Sequence, residues 1–143
     1  MSHKQQFTIV MVDDDEDEVF ITRRLVRRSG IVNDFISERK PENLFATLES
    51  IHDKGNDVAD VIVLLDINMP RQNGFETLRK IRGNAKFASA PVIMLSASDN
   101  EADMVDASEL GADGYLVKPF QSDKFFSALN DVPRVRHQLV LAA

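Results

Sequence analysis

The chain contains no cysteine, which removes disulfides, thiolate metal sites and thiol nucleophiles together. Long apolar runs are missing as well: the longest, such as residues 61–65, fall far short of a membrane-spanning helix. Residues 1–6 are polar and lead straight into a strand pattern, so no secretory signal is expected. Basic residues are the minority, with 17 Lys and Arg against 23 Asp and Glu and a formal net charge of −6. That balance argues against a broad electrostatic hold on nucleic acid, which needs clustered cations. Arg23, Arg24, Arg27 and Arg28 do cluster, and read as the solvated face of one amphipathic helix. The expectation is a soluble, cytoplasmic protein whose partners are neither nucleic acid nor membrane. Its 143 residues suffice for one substantial core and not for two ordinary domains.

What is present is alternation. Residues 7–12 are short, apolar and β-branched, the pattern of a buried strand. Six acids follow without a break over residues 13–18, and from about Glu16 the period becomes helical, with Val19, Ile21, Thr22, Leu25 and Val26 on one face. Gly30 supplies a stop. A weaker strand is expected near residues 34–39, then a helix from Pro41 carrying Leu44, Leu48 and Ile51 on one side. Residues 61–65 form a continuous apolar run, expected of a central strand covered on both faces. After a loop with Pro70 and Gly74, Phe75, Leu78 and Ile81 mark a third helix. Strands at 92–95 and 115–117 enclose a helix at 101–110; a last helix at 122–132 turns Phe125, Phe126 and Leu129 inward and stops before Pro133. Five strands alternating with five helices imply an α/β, doubly wound, parallel sheet with right-handed crossovers. The expected organisation is one domain over residues 1–132 and a tail over 133–143.

Chemistry gathers where strands end. Asp13 and Asp14 follow the first strand, Asp66 the third, Ser96 the fourth and Lys118 the fifth. In a sheet of order 2-1-3-4-5, an order taken from the fold class, those strands are neighbours, about 4.8 Å apart, so all these groups converge in one crevice at the carboxyl edge. Three close carboxylates repel unless a cation sits among them, and all-oxygen ligands with open positions suit Mg²⁺. A carboxylate can act as nucleophile and form an aspartyl phosphate. Positive charge then does most of the catalysis, with Lys118 as one clamp, Ser96 as a hydrogen-bond donor, and the small Ala97 leaving room.

The segments MVDDDE, LLDINMPRQNG, IMLSAS and GADGYLVKPF, in this order, resemble the motifs of the receiver domain of two-component response regulators. The resemblance covers residues 7 to about 132, is chemotaxis-regulator-like in its plainness, and faintly extends to the small regulators that partner bacterial phytochrome kinases. It implies a flavodoxin-like (βα)5 fold. It implies Asp66 as phosphoacceptor and Mg²⁺ held by Asp14, Asp66 and the Asn68 backbone carbonyl, with Asp13 acting mainly through water. Lys118 and Ser96 take the family's lysine and hydroxyl positions, Tyr115 its aromatic switch, and the Lys118–Pro119 bond is expected to be cis. The implied partners are a sensor histidine kinase or phosphotransfer protein, and a downstream protein or a second copy in a homodimer. The expectation is a stand-alone signalling module that catalyses only its own phosphorylation and dephosphorylation. The alternative is a degenerate receiver that binds partners without being phosphorylated.

Three rivals fail on residues. Asp13, Asp15 and Asp17 alternate as in a calcium loop, but Glu18 and Arg24 occupy its glycine and glutamate positions. A flavin phosphate would be repelled by six acids. An aspartyl phosphatase would need a hydroxyl or valine where Asp17 stands. Asp15 itself is expected to stabilise a helix start and not to ligate metal.

Overall fold

The computed structural model describes residues 7–30, 32–69, 72–97, 100–119 and 121–135. Pro70 and tail residues 136–143 lie outside them. In chain order the elements are β1 (Phe7–Val12), α1 (Glu16–Ser29), β2 (Val32–Glu38), α2 (Pro41–Asp53) and, after a short 3₁₀ turn at Val58–Asp60, β3 (Val61–Asp66). There follow β4 (Asn68–Met69), β5 (Gln72–Asn73), α3 (Gly74–Arg82), β6 (Val92–Ser96), α4 (Glu101–Glu109), β7 (Gly114–Val117) and α5 (Ser122–Asn130).

The main sheet has the order β2-β1-β3-β6-β7, every pair parallel. This is the expected 2-1-3-4-5 order, with β6 and β7 as fourth and fifth strands. The two-residue strands β4 and β5 pair antiparallel, Asn68 opposite Asn73. The sequence pattern does not announce this small hairpin, because two-residue strands carry no period.

Strand alternation sorts the apolar residues onto two faces. Ile9, Met11, Ile62, Leu64, Ile93 and Leu95 face α1 and α5, meeting Val26, Phe125 and Leu129. Val10, Val12, Val63, Leu65, Val92 and Met94 face the other way, against Leu44, Leu48, Leu78, Ile81 and Ala107. All six residues of β3 are buried, which is why its sequence shows no polar alternation. Each such side chain contributes about 1.5–3 kcal/mol when fully buried.

Helix α1 is held at both ends. The Asp15 carboxylate accepts from the Asp17 and Glu18 amides, as expected of an N-cap, and Gly30 closes the helix at φ 73°. Its buried residues are Thr22, Val26 and Ser29. Ile21 corrects the sequence reading: it is 52% exposed. It lies about 100° of helical rotation from Thr22, so its apolarity and not its angle had placed it inside. Boundaries move by small amounts elsewhere. β2 starts at Val32, two residues before the expected position, and α5 stops at Asn130, short of Val132. Val132 and Val135 remain buried against the α1–α5 face.

Candidate functional site

The carboxyl ends of β1, β3, β6 and β7 bring the expected groups together. Asp13 follows β1 directly and Asp66 is the last residue of β3. One carboxylate oxygen each from Asp13, Asp14 and Asp66 lies within 4.8 Å of the others. Asp13 and Asp66 are buried while Asp14 is exposed, so the cluster opens to solvent on one side.

Lys118, just past β7, reaches into this cluster. Its Nζ donates to Asp13 Oδ2 at 2.7 Å and to Asp66 Oδ2 at 3.2 Å. The backbone amide of Lys118 donates to the Ser96 carbonyl at 2.7 Å, and its bond to Pro119 is cis, as expected. Burial pulls the ammonium's pKa down, but the hydrogen bond to Asp13 and the charges of Asp13 and Asp66 outweigh it, and the net direction is upward. Lys118 therefore keeps its charge across the neutral range. Burial pushes the Asp66 carboxyl up, opposed by the Asn68 amide and by Lys118.

Local backbone geometry aims these groups. Asp66 Oδ1 accepts from the Asn68 amide at 3.0 Å, and Asp13 Oδ1 from the Asp15 amide at 2.9 Å. Each carboxylate thus has one oxygen tied to its own loop and one turned to Lys118. The Ile67 amide donates to the Leu95 carbonyl at 2.9 Å, extending the β3–β6 ladder past Asp66. Behind the site, Gly74 opens α3 so closely that a Cβ there would lie 2.7 Å from the Asp66 carbonyl oxygen. No side-chain-bearing residue fits without moving the chain that carries Asp66.

Ser96 ends β6 and is fully buried, opposite Val117 of β7. Tyr115 sits on the edge strand β7, partly buried and packed against the α2–α3–α4 face. Asn68 is exposed at the start of the small hairpin.

One charged neighbour escaped the sequence reading. Glu18, in the first turn of α1, is half-buried; burial raises its pKa, Lys118 lowers it, and Asp13, Asp15 and Asp66 raise it further. Its position one helical turn beyond Asp14 is the signal that could have found it.

This arrangement is a doubly wound, parallel α/β sheet with acids and one lysine gathered at its carboxyl rim. The response regulator receiver domain family matches residues 9–130. The chain belongs to that family. It is 33% identical over 129 residues to the transcriptional regulatory protein CpxR of Escherichia coli, covering 90% of this chain and 50% of that protein. It is 38% identical over 113 residues to the chemotaxis protein CheY of Listeria monocytogenes, covering 79% and 90%. The chain thus spans about half the length of the first curated relatives it matches. Among solved structures, the bacteriophytochrome response regulator RtBRR superposes with a TM-score of 0.76 at 29% identity, over 97% of this chain and 81% of that one. The Mn²⁺-bound form of response regulator Rcp1 superposes at 0.71 with 25% identity, over 96% and 99%. Among the described residues no helix is long and apolar enough to cross a membrane.

Proposed function

We propose that this receiver domain accepts a phosphoryl group on Asp66 from a phosphohistidine of a sensor kinase or phosphotransfer protein, and signals by contacts with another protein. The observation that carries the reading is the placement of Asp66: buried, at a strand end, with Oδ2 3.2 Å from the Lys118 ammonium. A carboxylate oxygen of Asp66 attacks phosphorus, the P–N bond to the donor imidazole breaks, and that bond's electron pair leaves with the ring nitrogen. Lys118 faces the three equatorial oxygens as their charge develops.

The donor set fits a hard divalent ion: three carboxylates within 4.8 Å, one of them exposed, with no nitrogen or sulfur ligand among them. Asp13, Asp14, Asp66 and the Asn68 carbonyl would hold Mg²⁺, which supplies positive charge against the phosphoryl oxygens. A manganese-bound relative supports this choice of ion class. Asp13 also orients Lys118, through the 2.7 Å contact.

Ser96 and Tyr115 are assigned the response. Ser96 moves to hydrogen-bond a phosphoryl oxygen, and Tyr115 turns inward into the space released, shifting the population toward an altered α4–β7–α5 surface. Incubation with Mg²⁺ and acetyl phosphate tests the acceptor: the protein should gain about 80 Da, one HPO₃ unit on a carboxylate. Asp66→Asn should abolish the gain, and a modified peptide that excludes Asp66 would refute the assignment.

A further inference from the structure

A groove of about 330 Å³ runs between α3 and α4, lined by half-buried Phe75 and Leu110 and by exposed Glu76, Arg79, Asp106 and Glu109. Its α4 wall is unusual for this molecule. The nine residues of α4 bury only Ala107 and carry Glu101, Asp103, Asp106 and Glu109 with no base. Asp103, Asp106 and Glu109 repel at i,i+3 spacing, and Asp106 and Glu109 sit toward the negative end of the helix dipole. By contrast α1 and α3 both carry arginines in their last turns. Several acids near other grooves have cations: Glu49 meets Lys86, and Asp57 and Asp60 meet Arg134. Among the described residues, none pairs with the side chains of Glu76, Asp106 or Glu109. The helix is locally unfavourable as it stands, and a cation laid along its last two turns would relieve both penalties.

We propose that the α3–α4 groove docks a cationic amphipathic protein segment, with Lys or Arg side chains against Glu76, Asp106 and Glu109 and an apolar side chain on Phe75 and Leu110. The charge sign excludes a nucleic acid backbone as occupant. The inference stands apart from phosphorylation of Asp66, since it needs only the groove.

The test uses the full ¹⁵N-labelled chain, with the amides of residues 13–18, the other acidic region, followed as a control. It is titrated with a helical Lys/Leu peptide and with a Glu/Leu peptide of the same apolar pattern. The Lys/Leu peptide should shift amides of residues 75–79 and 101–110, with affinity falling about tenfold from low to physiological salt, and the Glu/Leu peptide should shift none. Asp106→Lys with Glu109→Lys should abolish the shifts, and Asp106→Asn with Glu109→Gln, which only removes charge, should weaken them. Leu110→Ala should weaken binding while keeping its salt dependence. Failure of the Lys/Leu peptide to bind overturns the proposal. So do shifts confined to residues 13–18, shifts that survive both double variants, or equal binding of the two peptides.

Discussion

The amino-terminal and carboxyl rims of the sheet treat charge in opposite ways. At the amino rim Arg82 extends all its donors to matched acceptors: the carbonyls of Ala88, Ala90 and Gly111, and Asp113 Oδ2 at 3.1 Å. Asp113 in turn accepts from the Val92 amide at 2.8 Å. This clamp joins the end of α3 to the loops that enter β6 and β7. Arg134 does the same on a smaller scale with Asp57 and Asp60. At the carboxyl rim three carboxylates cluster, two of them sharing one ammonium, with Glu18 close by. One rim is nearly balanced, two arginines against three carboxylates, and closes the structure. The other is left with a larger excess of negative charge, the condition under which the proposed function would have a divalent ion and a phosphoryl group bind there. The two rims are separated by the length of a strand.

Substitutions should reveal the division. At the reactive rim, Lys118→Ala should slow phosphorylation by acetyl phosphate about 10²–10³-fold, the scale of losing one oriented charge-stabilising donor, while the far-ultraviolet circular dichroism stays native. At the balanced rim, Arg82→Ala should cost about 3 kcal/mol of unfolding free energy, because Asp113 and three carbonyls lose a partly buried partner. Urea melts would read this, and a loss under 1 kcal/mol would mean the clamp is ornamental. Mg²⁺ should stabilise the protein by about 2.7 kcal/mol at a hundred times its dissociation constant. Asp14→Asn should remove most of that response and Arg82→Ala little of it.

The rims should also diverge with pH in metal-free protein. Lys118 is raised above its ordinary 10.5, so its stabilisation is complete below 10.5 and fades as pH climbs through the higher folded value. The stability gap between wild type and Lys118→Met should therefore hold steady across neutral pH and close in alkali. Asp66 is raised above 3.8, so its burial penalty lifts as pH falls through the folded value toward 3.8. The advantage of Asp66→Asn over wild type should shrink in that window; an advantage that grows there would reverse the assigned direction. The smallest effect is expected at Arg134→Ala, about 0.5–1 kcal/mol and weaker in high salt, since its ion pairs are exposed.

Much of this was legible from local pattern. The apolar run of β3 announced a strand covered on both faces, and acids placed immediately after strands announced a crevice once the strand order was assumed. Asp15 was legible as an acid that favours a helix start, while its bonds to the Asp17 and Glu18 amides appear only in the structure. What escaped depends on distance or angle. Arg82 and Asp113 are separated by 31 positions, and no local period links them. Ile21 misled because an apolar side chain was counted without its helical angle. The approach of α3 to Asp66 was hidden for a different reason: a glycine leaves no pattern of its own, and only the finished packing shows what its missing methyl makes room for.

That missing methyl at position 74 makes the start of α3 and the end of β3 behave as one rigid piece. The Gly74 amide is bonded to the Ile67 carbonyl at 2.9 Å, and Phe75, the next residue, already belongs to the α3–α4 groove. A displacement of the Asp66 main chain by a fraction of an ångström has no soft side chain in which to dissipate. The foot of α3, packed directly on that backbone, is where such a displacement would first be met.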